Sequence, residues 1–197
     1  MFVQVIEGRT SDPEGIKRQA ERWQTELRPG ATGYLGVTSG VTADGKTITI
    51  VRFDSEESAR ANSDRPEQSA WFEEMQKYYD GDIAFTESSD TAEFMGGGSD
   101  KAKFVQVMKM SDVDRAQVER LDAEFEKLAP QRNDILGLFR VWTGANSCID
   151  VAYFTSEADA RAGEKQQLPA EFDEMMKEFG EMTQNTEFLD LKDPQIH

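Results

Sequence analysis

Apolar and polar residues alternate with a period of two over residues 2–7, Phe-Val-Gln-Val-Ile-Glu, the pattern of a half-buried strand. The period then changes. Ile16, Ala20, Trp23 and Leu27 recur at helical spacing behind Ser11-Asp-Pro-Glu14, which reads as a capping box at Ser11 with proline in the first turn. Pro29-Gly30 stops that helix. Residues 32–41 and 46–53 form two strand-like runs around the turn Thr42-Ala-Asp-Gly45. A short helix starts at Ser55-Glu-Glu57 and is interrupted by Pro66. Trp71, Phe72, Met75 and Tyr79 carry its continuation to Gly81. Residues 83–87 make a last strand, so the predicted order is β-α-β-β-α-β.

The same order then returns. Residues 104–109, Phe-Val-Gln-Val-Met-Lys, echo residues 2–7. Phe53-Asp-Ser-Glu-Glu-Ser-Ala-Arg-Ala61 returns as Phe154-Thr-Ser-Glu-Ala-Asp-Ala-Arg-Ala162, and Phe72-Glu-Glu-Met75 as Phe172-Asp-Glu-Met175. A helix capped at Ser111 carries the stripe Val118, Leu121, Phe125 and Leu128. Strands are predicted at 104–108, 135–142, 148–154 and 186–191, with a helix opened at Ser156 and interrupted at Pro169. A repeat of this length is a domain, not a solenoid unit. The predicted division is a first domain at 1–90, a Gly-rich flexible linker at 91–102 around Gly96-Gly-Gly98, and a second domain at 103–197. Each is a ferredoxin-like split βαβ unit with both helices on one sheet face. In the third strands Ile48/Ile50 and Ile149/Val151 form an apolar side, and Thr47/Thr49 and Cys148/Asp150 a more polar one. The expected fold is therefore α+β: tandem ferredoxin-like (βαββαβ) repeats whose sheets cover each other in an intramolecular eight-stranded α/β barrel. One chain would imitate a dimer, so a monomer is expected, with further self-association open.

On the two Phe-Val-Gln-Val strands, residues 53–61 and 154–162, and the aromatic helix around Trp71-Phe72 with its copy at Phe172, the chain resembles the dimeric α/β barrel superfamily. Within it, the likeness is to the antibiotic-biosynthesis-monooxygenase-like (ABM-like) domains. The resemblance implies a pocket between helices and sheet. There, cofactor-independent oxygenases oxidise a small aromatic substrate and use the substrate itself to activate oxygen. Haem-degrading relatives place an axial histidine on the helix after the third strand. Asn62 and Gly163 stand at those places, so haem degradation is not expected and no cofactor is assigned.

The chain has 22 basic and 38 acidic residues, a net charge of −16 spread over both halves. Such a field repels phosphate backbones and anionic bilayers, and no basic cluster offsets it, which argues against nucleic-acid and membrane partners. No apolar run reaches spanning length, no leader precedes the first strand, and a cytoplasmic location is the default. The lone Cys148, in an apolar run, reads as a small buried hydrophobe. The lone His197 reads as a frayed end or the start of a tag.

No metal-ligand spacing and no nucleophile–histidine pair is present in the sequence. What the resemblance leaves is an aromatic cavity with a few polar groups. The tentative catalytic residues are Asn62 and Trp71. The tentative substrate contacts are Tyr34, Gln4, Gln106, Arg140 and Asp150, with Trp142 and Asn146 also offered by the second half. Each has a plainer role. Trp71 packs as core beside Phe72 and Met75, Asn62 ends a short helix, Tyr34 sits at a sheet edge, and Asn146 serves the hairpin turn. Asp150, in Cys-Ile-Asp-Val-Ala-Tyr, must face water, pair with Arg140 across the hairpin, or line a polar cavity. Gln4 and Gln106 recur at equivalent places, and a symmetric hydrogen bond across the sheet interface precedes a ligand contact as their role. If a pocket survives in one half only, the first is favoured. The alternative to an enzyme is a barrel that binds a small apolar ligand or a protein partner without turnover.

Overall fold

The computed structural model describes residues 1–167 and 169–197; of the sequence-predicted apolar stripe, the Leu128 side chain lies outside the described ones. In chain order the elements are β1 (Phe2–Arg9), α1 (Pro13–Glu26), β2 (Tyr34–Val41), β3 (Lys46–Phe53), α2 (Glu56–Ser63), α3 (Pro66–Gln76), β4 (Ala84–Ser88) and β5 (Thr91–Phe94). They continue with β6 (Phe104–Ser111), α4 (Arg115–Leu128), β7 (Ile135–Gly144), β8 (Ser147–Phe154), α5 (Glu157–Gly163), α6 (Asp173–Met182), β9 (Glu187–Leu191) and β10 (Gln195–Ile196). Short 3-10 turns punctuate the series. The chain forms two compact units, Met1–Ser89 with Asp193–His197, and Asp90–Lys192.

Each unit carries one antiparallel sheet. The first has the order β10-β2-β3-β1-β4 and the second β5-β7-β8-β6-β9. The strands β2-β3-β1-β4 and β7-β8-β6-β9 are the split βαβ arrangement, and each sheet gains one short strand beside β2 or β7 that period-two patterning does not reveal. β5 lies inside the stretch expected as a flexible linker. It pairs with β7 from Thr91↔Val141 to Phe94↔Leu138. Gly137 makes room for the chain that follows, because any side chain there would collide with the Gly97 carbonyl oxygen. β10 corrects the reading of His197 as a frayed end. The His197 N–H donates to the Val37 carbonyl at 3.0 Å and its carbonyl accepts from the Val37 N–H at 2.7 Å.

Local chemistry explains the element boundaries. Asp12, not Ser11, caps α1, its carboxylate accepting from the Gly15 N–H at 2.8 Å. Asp114, not Ser111, does the same for α4. A carboxylate at this position meets both the unpaired N–H groups and the positive end of the helix. Ser55 and Ser156 cap α2 and α5. Gly45, at φ +80°, closes the β2–β3 turn in a conformation other residues resist.

The recurring Ala-Arg-Ala segment has a structural cause. Ala59 and Ala160 are buried against the sheet beside Phe53 and Phe154. Arg60 then reaches Glu87 on β4, at 2.5 and 3.1 Å, and Glu87 accepts from the Gln4 carboxamide at 2.8 Å. In the second unit Arg161 pairs with Asp190, which accepts from Gln106 at 3.0 Å. The two glutamines thus bond within their own sheets, each to the carboxylate opposite it in register. This replaces the expected bond across a sheet interface. A carboxylate one strand away is the nearer partner, and the arginine of the following helix completes it.

Candidate substrate cavity

Strand parity sends residues 4 and 6, 37 and 39, and 49, 51 and 53 to the helix side of the first sheet. The opposite face holds Val3, Val5, Thr38, Ile48 and Ile50, all essentially inaccessible. On the helix side the packing is incomplete. A cavity of about 260 Å³ lies between the sheet and helices α1 and α3, entirely within the first unit. This is near the lower edge of the roughly 300–1,000 Å³ usual for small-molecule sites. Gln4, Ile6, Val37, Ser39, Thr49 and Val51 form its sheet wall. Trp23 and Gln24 of α1 and Trp71, Phe72 and Met75 of α3 form the helix wall, with Asn62 of α2, Tyr34 of β2 and Phe85 of β4 beside them. Among the described residues, no Asp, Glu, Lys or Arg lines it.

The structure therefore gathers four of the sequence-predicted residues, Gln4, Tyr34, Asn62 and Trp71, around one space. Their polar atoms are already engaged to different degrees. The Trp71 indole N–H donates to the Gln19 carbonyl at 2.9 Å, so the ring offers the cavity its face and not a donor. The Asn62 carboxamide oxygen accepts from Arg65 at 3.0 Å, and the same Arg65 nitrogen donates to the Leu27 carbonyl at the end of α1. Arg65 thereby fixes Asn62, which is buried. Trp23 donates to the Gln68 carboxamide at 2.7 Å. The Tyr34 hydroxyl accepts from Gln24 at 3.0 Å, which leaves its own O–H to donate. Burial pushes the Tyr34 phenol up from its ordinary value, against the hydrogen bond from Gln24 and the charges of Arg28 and Arg52. It stays a neutral donor at physiological pH.

Gln106, Arg140 and Asp150 do not line this cavity; they belong to the second unit. Arg140 grips Asp150 through Nε and Nη2 at 2.6 and 2.7 Å, the pairing across the hairpin that register allows. Its Nη1 reaches both oxygens of Asp122 on α4 at 2.8 and 2.7 Å. Arg140 and Asp150 are almost fully buried, and Arg140 is held by hydrogen bonds to both aspartates. Asp122 carries the cost. Desolvation raises its carboxyl above the ordinary range, with Asp150 and Glu119 adding repulsion, while Arg140 opposes the shift. Trp142 is also buried, in a cluster with Cys148 and Val118. The Asn146 carbonyl accepts from the Val113 N–H beside the hairpin turn.

Register aligns the units position by position. Gln4↔Val51 and Ile6↔Thr49 correspond to Gln106↔Ala152 and Met108↔Asp150, and Ser39↔Thr49 to Arg140↔Asp150. The caps Asp12 and Asp114 align Ala20 with Asp122. The three positions that hold the buried ion triad in the second unit are thus Ala20, Ser39 and Thr49 in the first, all on the cavity wall. Small residues there leave space; two aspartates and an arginine fill it.

Sequence reasoning missed Trp23, Gln24 and Ser39, and it missed Gln195 and His197 of the β10 segment, which also line the cavity. Trp23 was visible in the α1 stripe but indistinguishable there from core. β10 pairs Gln195 with Ser39, a contact across most of the chain that no local pattern records.

Comparison with known proteins gives the fold a setting. The sequence matches no protein-family model and no curated protein. Among solved structures, a candidate monooxygenase from Lactobacillus acidophilus is similar over 100% of this chain and 98% of its own, with a TM-score of 0.72 at 12% identity. This is a tandem ABM-like fold. An anthrone oxidase-like protein covers 99% of this chain and 92% of its own, with a TM-score of 0.64 at 16% identity. A haem-degrading enzyme from Listeria monocytogenes covers 96% and 97%, with a TM-score of 0.50 at 8% identity. At such identities the likeness is one of fold. No helix among the described residues is long and apolar enough to cross a membrane.

Proposed function

We propose that this protein is an ABM-like, cofactor-independent monooxygenase that acts on a small, neutral, hydroxylated aromatic molecule bound in the first unit. The observation that carries this reading is the cavity itself: aromatic rings on two sides, uncharged polar groups between them, and, among the described residues, no Asp, Glu, Lys or Arg on the wall. An uncharged site favours an uncharged ligand, since a buried ion there would find no counter-charge. Trp23 and Trp71 supply faces for stacking, and Tyr34 a donor for a carbonyl or hydroxyl oxygen. Asn62, held by Arg65, contributes a fixed carboxamide edge. A cytoplasmic location is part of the same reading.

A second reading, binding without turnover, is favoured by one observation: the Trp71 indole N–H and the Asn62 carboxamide oxygen are both engaged by the protein. The two are separated by oxygen uptake. With 1,8-dihydroxyanthrone as probe, the wild type should consume oxygen above the uncatalysed rate. Asn62→Ala and Trp71→Phe should each lower that rate by about tenfold or more, whereas Phe172→Leu in the second unit should not. Binding without any excess oxygen uptake across anthrones and quinols would support the second reading. A haemin arm, followed by its absorption band, tests whether the fold's haem-degrading relative is the better guide.

A further inference from the structure

Among the described residues, the cavity wall holds two titratable side chains, Tyr34 and His197. The first is kept neutral by burial and serves as a donor. His197 is the chain's only histidine. Its placement is a matter of register. β10 pairs Gln195 with Ser39 and Ile196 with Thr38, and the backbone of His197 pairs with Val37 on both sides. Residues facing each other across an antiparallel ladder share a sheet face. Gln195 and His197 therefore lie on the cavity side with Ser39 and Val37, and Ile196 lies on the other. The segment is tied down at its start by the Asp193–Lys17 ion pair at 2.6 Å and by Gln195, which donates to the Lys17 carbonyl at 3.5 Å.

We propose that His197 is the general base of this site, removing the hydroxyl proton of the bound aromatic molecule. The proposal rests on the functional reading above. In the step, the ligand O–H bond breaks, the proton passes to a ring nitrogen of the neutral imidazole, and a phenolate faces an imidazolium. No oxidant enters the step. A phenolate is the electron-rich species an oxygenation without cofactor needs, and among the described wall residues His197 is the side chain with a basic nitrogen. The groups around the β10 segment are Tyr34 on β2, Lys17 of α1 with its partner Asp193, and Arg52 on β3. The Arg52 guanidinium approaches Gly36 beside the His197 carbonyl oxygen.

The test uses the full chain and two probes. Binding of 2-hydroxyanthraquinone is read by quenching of tryptophan fluorescence, and the single histidine ring signal is followed by NMR. When the probe is added at one fixed pH, the His197 ring signals should move toward their imidazolium positions. His197→Gln should keep the backbone pairing and the quenching affinity within about twofold. It should lower 1,8-dihydroxyanthrone turnover by about a hundredfold and abolish its acid limb in the pH profile. Quenching with an unmoved histidine signal, or His197→Gln turning over as the wild type does, would overturn the role of His197 while leaving the cavity reading intact. No quenching by either probe would overturn the cavity reading, and this inference with it.

Discussion

Arg140 and Arg60 are both paired with carboxylates, yet their pairs differ in weight. Arg60 is half exposed, and its link to Glu87 is screened by water, so Arg60→Ala should leave the urea unfolding midpoint almost unchanged. Arg140 is buried between two aspartates, and Arg140→Ala leaves both without a counter-charge. A loss of about 3–5 kcal/mol is expected. Replacing all three, Asp122→Ala with Arg140→Ser and Asp150→Thr, strands no charge and should unfold at higher urea than Arg140→Ala alone. Cys148 makes a pH prediction. Burial first, and then the Asp150 charge, push its thiol up to about 12. Above about pH 9 the unfolded chain loses that proton while the folded chain keeps it, so the folded state binds more protons and stability falls as pH rises. The Cys148 contribution to the slope should approach about 1.4 kcal/mol per pH unit, and Cys148→Ala should be less steep by that amount. Thiol reagents at pH 8 should label Cys148 only as fast as the protein unfolds.

At the scale of elements, the strands and helices with a clear period were legible in the sequence, and so was their doubling. Residues 46–53 and the β3 span Lys46–Phe53 coincide. The caps were displaced because Ser11 and Ser111 lie next to loops in which an aspartate, at position 12 or 114, is better placed to accept from the helix N–H groups. β5 and β10 were not legible. A strand of two or four residues has too few positions to show a period, and its pairing is decided by a distant edge. This matters for the site, since β10 brings His197 to the wall. Asn62, Trp71, Tyr34 and Gln4 were named as candidates because polar or aromatic residues fell at the recurring helix and strand positions. Their convergence on one space follows from register, which sequence alone does not supply. Cutting the chain before Asp193 should leave β2, β3, β1 and β4 of the first sheet folded but strip the β2 edge. Faster amide exchange at Val37, with little change elsewhere in the first unit, is the expected outcome.

For the whole molecule, the consequence of duplication is divergence. The two units share strands, caps and the glutamine–carboxylate–arginine clamp, and they part at three equivalent positions. Ala20, Ser39 and Thr49 line a cavity in one; Asp122, Arg140 and Asp150 close on each other in the other. The net charge of −16 does not extend to the described residues of the cavity wall, none of which is Asp or Glu. A chain with two such units should therefore bind one ligand. Calorimetric titration of the full protein with 2-hydroxyanthraquinone measures this directly. The account predicts one molecule bound per chain, abolished by filling the first cavity with Ala20→Phe and unaffected by Phe172→Leu. Two molecules per chain, or one that survives Ala20→Phe, would contradict it.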